Sequence, residues 1–278
     1  MNLTSIAWTD RSLNYQAGCS HEGPECTFCY AEVMSARLAR MPHAPSRYQD
    51  AVNGARRWSR ELVFDAAAMD RGFEQLRAIR KPTKVFLGSM TDLFHERVEP
   101  SWLYGLAEHI RGLEASGAPV TLQLLTKRPE RALHWQRQHF PAGLPALVWM
   151  GTTAGYQDGW TLRGKHLVQI QAAVRWVSCE PMLGPILPVP EHLQGIEWIV
   201  IGGESGPKAR PFHVEAARDL ASIAERYGVA VFVKQLGRRP EVHDADGTPR
   251  PLLLRHPKGE DPSEWPESLR YRQFPEAA

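Results

Sequence analysis

The stretch Val120-Thr121-Leu122-Gln123-Leu124-Leu125-Thr126-Lys127-Arg128-Pro129 decides the fold class. An apolar run of strand length stops at a hydroxyl and two cations, and a proline then opens an amphipathic segment over Pro129–His139. Such a run, lacking strict polar alternation, reads as a parallel strand covered on both faces. Proline suits the first turn of the helix that follows. Working toward the N-terminus, Thr83–Gly88 leads into the polar Ser89–Asp92. Next comes Pro100–Ser116, whose Leu103, Leu106, Ile110 and Leu113 share one helical face. Toward the C-terminus, Ala146–Met150, Val174–Ser178, Glu197–Ile201 and Val229–Val233 read as further strands, with helical patterns at Lys165–Ala173 and Phe212–Tyr227. Helices are also expected over Cys29–Met41 and Ala67–Ile79, and additional strands at Arg60–Phe64 and Ile6–Thr9. Strand and helix alternating at this spacing give βα units, an α/β class and a parallel sheet. An open doubly wound sheet and a partial or complete (β/α) barrel both satisfy the periodicity.

A chain of 278 residues suits one barrel-sized domain. The expected division is a body over 1–237 with an insertion near 42–60, followed by a loop-rich extension over 238–278 that Leu252–Leu254 would pin to the body. No apolar run approaches membrane-helix length and Met1-Asn2-Leu3-Thr4 leads into no signal-peptide pattern, so no membrane is expected and the cytoplasm is the expected location. A net charge of +2 removes a strongly basic surface as an argument for nucleic acid. Within the insertion, Trp58 beside Arg56, Arg57 and Arg60 is a candidate phosphate-and-base patch.

Three of the four cysteines, Cys19, Cys26 and Cys29, fall within eleven residues, while Cys179 stands alone. Four readings are open. They are a disulfide with a spare thiol, unrelated buried thiols, structural zinc completed by His21, and an iron–sulfur cluster. The count favours the last, because three thiolates on a four-iron cluster leave one iron open to an outside molecule.

The segment Cys26-Thr27-Phe28-Cys29 resembles the end of the radical S-adenosylmethionine (radical SAM) motif, although six residues instead of three separate Cys19 from Cys26. A closer resemblance is to a bacterial and phage family of radical-SAM-like proteins labelled as a phage protein of unknown function. It runs from Ile6-Ala7-Trp8-Thr9-Asp10 through Gly18-Cys19, Cys26–Ala31, Ser89–His95, Leu125–Pro129, Ser178–Pro185 and Ile201–Gly206, on through Arg210-Pro211, to Phe232–Gly237. The resemblance implies a partial or full (β/α) barrel and a 4Fe-4S cluster on Cys19, Cys26 and Cys29. It also implies reductive cleavage of S-adenosyl-L-methionine, and a one-electron reductant protein such as flavodoxin or ferredoxin. In such a protein Ser89, Thr91 and Asp92 would hold the cofactor's ammonium group. The alternative is a zinc- or cluster-stabilised nucleic-acid-binding protein without radical chemistry.

Most of these polar blocks lie just beyond the carboxyl ends of expected strands, the edge at which parallel sheets bind ligands. There Glu180, Glu204 and Lys234 are the candidate catalytic residues. Lys127 would neutralise a cofactor carboxylate or a substrate phosphate, and Gly202-Gly203 would permit close approach of the cofactor. The substrate stays undetermined, with a nucleic acid or nucleobase open. Cys179 reads as a small buried hydrophobe.

Overall fold

The computed structural model describes residues 1–276, and the chain divides into two compact units. The first comprises Met1–Glu22, Cys29–Met150 and Ile170–Ala173; the second comprises Gly23–Phe28, Gly151–Gln169 and Val174–Ala278. Both are mixed α/β, with largely parallel strands and helices between them.

In the first unit, β1 (Arg11–Leu13) pairs in parallel with β2 (Thr83–Leu87), and β2 with β3 (Val120–Thr126). The register aligns Leu13 with Leu87 and Leu87 with Leu124, so apolar side chains share a layer. Helices accompany them. α1 (Tyr30–Leu38) is short; α2 (Ala66–Arg77), α3 (Pro100–Ala115) and α4 (Pro129–His139) carry the expected apolar faces. Asp65 caps α2 by accepting the Ala68 N–H at 2.8 Å, which satisfies a donor that the helix itself cannot. Met69, Phe73 and Leu76 of α2 are buried, as are Leu103, Leu106, Ile110 and Leu113 of α3. Each such side chain contributes about 1.5–3 kcal/mol on leaving water.

Two expected strands move. Val63–Phe64 forms only a short antiparallel pair with Gln16–Ala17, apart from the parallel set. Ile6–Thr9 is a turn closed by Thr9 N–H donating to Ile6 O, and the strand begins at Arg11. Trp8 supplied the strand-like signal, but its ring is buried against Phe86, 4.9 Å between centroids.

Besides Gly23–Phe28, the second unit takes up β4 (Val148–Thr153) from Gly151 onward. Its parallel strands are β5 (Val174–Cys179), β6 (Trp198–Gly202) and β7 (Ala230–Gln235). Helix α5 covers Gln157–Leu167 rather than the expected Lys165–Ala173. Gly159 and Gly164 hid it, since glycine weakens a helical pattern. Both are packing requirements. A Cβ on Gly159 would come within 2.7 Å of the Tyr156 ring, and one on Gly164 within 2.6 Å of His192 Nδ1. Helix α6 (Val214–Arg226) matches its expected span closely.

Leu252–Leu254 contributes to holding the tail through the Leu252 N–H, which donates to Pro240 O at 2.8 Å, but its side chains are not the main anchors. Leu253 is 89% exposed, whereas Trp265 and Leu269 are buried. Gln273 pairs with Val231 through its backbone and side-chain amides, and the Arg272 guanidinium lies over the Phe232 and Trp265 rings. Among the described residues no helix is long and apolar enough to cross a membrane.

Candidate functional site

Each unit gathers charged side chains where its strands end. In the first, β2 is followed by Gly88 at φ +75°, a left-handed turn that favours glycine, and then by Ser89–Asp92. Asp92 is buried and fully engaged. Oδ1 accepts from the Thr126 hydroxyl at 2.6 Å and from Phe94 N–H at 3.0 Å; Oδ2 accepts from Lys127 N–H and from Arg128 Nη1, both at 3.0 Å. Arg128 also reaches Glu96 at 2.6 Å, Ser20 Oγ at 2.9 Å and Glu22 at 3.2 Å. Ser89 exchanges hydrogen bonds with the Asn14 side chain, and the Thr91 hydroxyl donates to Gly18 O. The residues expected to grip a cofactor ammonium therefore tie the turn after β2 to β3 and to the segment after β1. Lys127 differs, because its ammonium has no ion pair among the described residues.

Ser20, His95 and Glu96 form a constellation that superficially resembles a hydrolytic triad, with Ser20 Oγ 2.7 Å from His95 Nε2. The tautomer argues against that use. His95 Nδ1 accepts the Arg97 N–H at 3.1 Å, so in the neutral ring the proton sits on Nε2 and none can be taken from Ser20 there. Burial, with Arg128 beside it, holds the His95 pKa below its ordinary value.

Among the described residues, no group of three or more His, Cys, Asp or Glu side chains is gathered so as to hold a metal ion. This corrects the expectation of a 4Fe-4S cluster on Cys19, Cys26 and Cys29. The S-adenosylmethionine cofactor, the radical SAM and phage-related kinship, the radical SAM activity and the zinc- or cluster-stabilised nucleic-acid-binding alternative are corrected with it. The thiols have other roles. Cys19 and Cys29 pack against an apolar cluster of Ala17, Ala31, Tyr48, Ala51, Trp58 and Met90. The Cys19 thiol donates to Ser20 O at 3.3 Å; burial, reinforced by Asp92, pushes it up to about 12. Cys26 is buried in the short turn Pro24–Cys26 of the other unit. Trp58 likewise is buried in the apolar cluster, so its ring is not a stacking platform, and its backbone N–H donates to Glu32.

In the second unit the carboxyl ends of the strands carry carboxylate–cation pairs. Glu180, one residue beyond β5, meets Lys234 Nζ at 3.0 Å, with Ser178 Oγ at 3.5 Å. Lys234 occupies a bulge. Val233 faces Ile201 and Gln235 faces Gly202, leaving Lys234 as the extra residue between them. A bulge re-aims a side chain, here onto Glu180. Gly202 makes room for that carboxylate, because a Cβ there would lie 2.8 Å from Glu180 Oε1. Gly203 answers a backbone demand instead. Its Cβ would lie 2.5 Å from Leu236 O, and the Gln235 side chain donates to its carbonyl at 2.7 Å.

Glu204 takes two bonds from the Arg210 guanidinium, at 2.5 and 3.1 Å, and a third from the Arg210 N–H at 2.8 Å. The remaining Arg210 arm reaches Pro24 O at 3.0 Å. Next to Pro24, the Glu25 side chain is wholly buried; its Oε1 accepts from Arg163 Nη1 at 2.8 Å and from Gly155 N–H at 3.2 Å. Its Oε2 is buried without a hydrogen-bond partner. Burial, with Glu180 and Glu25 adding to it, pushes the Cys179 thiol far up, so it stays a neutral packing group. The sequence assigns no role to Glu25 or Arg163, and Arg210 enters only as part of a matching block. Glu25 lies between two of the clustered cysteines and Arg163 ahead of the expected helix, so neither marks itself in the sequence.

A family model described as a protein of unknown function (DUF5131) matches residues 3–258, and the chain belongs to that family. No curated protein and no solved structure matches it.

Proposed function

We propose that this member of the family binds a small polar ligand in its second unit, over the carboxyl ends of β5, β6 and β7. The observation that carries the reading is the Glu180–Lys234 pair. The bulge delivers Lys234, Gly202 leaves space for Glu180, and the two side chains remain 24% and 15% exposed. A pair that keeps some solvent contact at a parallel sheet's carboxyl edge is placed to exchange partners with a ligand. Lys234 would take an anionic or carbonyl acceptor and Glu180 an adjacent N–H or O–H donor. Each carboxylate here already has a cation, so a ligand offering both functions replaces one pair with two without leaving a charge alone. Glu204 is a positioning residue, its oxygens being taken by Arg210.

Binding is tested by thermal shift and calorimetry against hydroxy acids, amino acids and nucleosides, using the whole chain and the variants Glu180→Gln and Lys234→Met. Binding that falls at least tenfold in both variants supports the proposal. Binding that ignores both substitutions, or its absence across all three classes, overturns it.

The coarser features belong to the same reading. The strand–helix alternation supports a partial (β/α) barrel, with a body over 1–237, an insertion near 42–60 and an extension over 238–278. All four cysteines are free, which supports a reducing, cytoplasmic setting.

A further inference from the structure

Helix α1 is turned inside out. Its buried residues are Ala31, Glu32, Ser35 and Ala36, small or polar. Apart from Leu38, which packs against the apolar cluster, its large apolar residues point outward: Tyr30 is 58% exposed, Val33 67% and Met34 41%, and Met41 just beyond the helix is 47% exposed. A helix on a protein surface ordinarily does the reverse. The inversion has a local cause, since Glu32 is drawn inward to accept the Trp58 N–H at 2.8 Å and to pair with Arg57 at 3.2 Å. The Tyr30 hydroxyl donates to Ser89 O at 2.6 Å, which fixes the start of the stripe. A contiguous apolar stripe on a rigid helix is the usual mark of a contact surface, and exposed methionines adapt to a partner's shape.

The charge around the stripe is one-sided. Residues 30–60 contain six arginines against Glu32 and Asp50. Arg47 and Arg57 are paired with Asp65 and Glu32. Arg37 follows Val33 and Met34 by four and three residues, which puts it on the same helical face. Arg37, Arg40, Arg56 and Arg60 make no side-chain ion pair among the described residues.

We propose that the outward face of α1 docks an acidic amphipathic helix of another protein. Leucine-type side chains would cover Val33, Met34 and Met41, and carboxylates flanking them would meet Arg37 and Arg40. A second copy of this chain fits poorly, because an isologous contact would set these arginines against themselves. The stripe is mainly aliphatic and offers one aromatic ring, which suits an apolar helix better than bases.

The probe is a synthetic helical peptide of about 16 residues, leucine on one face and glutamate on the other; a second peptide has lysine in place of glutamate. Fluorescence anisotropy with the whole chain should show the glutamate peptide binding and the lysine peptide not. Val33→Ser combined with Met34→Ser should weaken binding at least tenfold. Arg37→Glu combined with Arg40→Glu should reverse the preference between the two peptides. All four positions are exposed or flank the helix, and circular dichroism checks that the variants are folded. The proposal is overturned if the glutamate peptide does not bind or binds the variants equally well. It is also overturned if phosphatidylglycerol vesicles bind this face in the peptide's place, or if sedimentation shows the face joining two copies of the chain.

Discussion

The Asp92–Arg128 network of the first unit and the Glu180–Lys234 pair of the second are built from the same chemistry, yet they differ in completeness. Asp92 has four donors on two oxygens, and Arg128 is shared among Asp92, Glu96, Glu22 and Ser20. That network is closed. Glu180 and Lys234 are partly open to solvent, and nearby Glu25 keeps one buried oxygen without a partner. A saturated network holds loops in place, because any new ligand must displace a bond of equal worth. An incomplete one can gain by binding. The contrast assigns scaffolding to the first set and recognition to the second.

Breaking the closed network should have the largest effect. Asp92→Ala leaves Arg128 Nη1 and the Lys127 and Thr126 donors without their acceptor in a buried site, and should lower stability by about 3–5 kcal/mol in urea denaturation. A loss under about 1 kcal/mol would show the network to be dispensable and would erase the contrast. Gly202→Ala should cost about 1–3 kcal/mol through crowding of Glu180, and should also displace the pair with Lys234. Its stability falling no further than that of a surface substitution would mean the glycine is not clearing space for the carboxylate.

His95 sharpens the comparison through pH. Burial holds its folded pKa below the unfolded value of about 6.5, so below that pH the unfolded chain takes up a proton which the folded one does not. Stability should therefore fall as pH drops from about 7 toward 5, and His95→Gln should flatten that slope in denaturation midpoints. His139 and His192 are also lowered by burial, so a reduced slope is expected and not its disappearance. The smallest stability effect belongs to Lys234→Met, under about 1 kcal/mol for a partly exposed pair. A loss as large as that of Asp92→Ala would mark the second pair as scaffold too.

The expected strands at Thr83–Gly88, Val120–Leu125, Val174–Ser178, Glu197–Ile201 and Val229–Val233 were legible because burial on both faces requires continuous apolar runs. Pro100 and Pro129 marked helix starts for an equally local reason. Helix α5 was misplaced because its glycines answer to Tyr156 and His192, contacts that no periodicity reports. The cysteine spacing misled in a different way. Close sequence spacing does not establish convergence of side chains, and Cys19 and Cys29 turn toward an apolar cluster.

The sequence by itself determined the α/β class, the order of strands and helices, and the edge on which Glu180, Glu204 and Lys234 lie, since each depends on neighbours a few residues apart. Only the tertiary structure decided which charges are satisfied. Arg163 meets Glu25 across 138 residues, Arg128 meets Asp92 across 36, and a single bulged residue aims Lys234 at Glu180. Pairing between distant charges depends on where the backbone brings them. In this protein that pairing distinguishes a scaffold from a site.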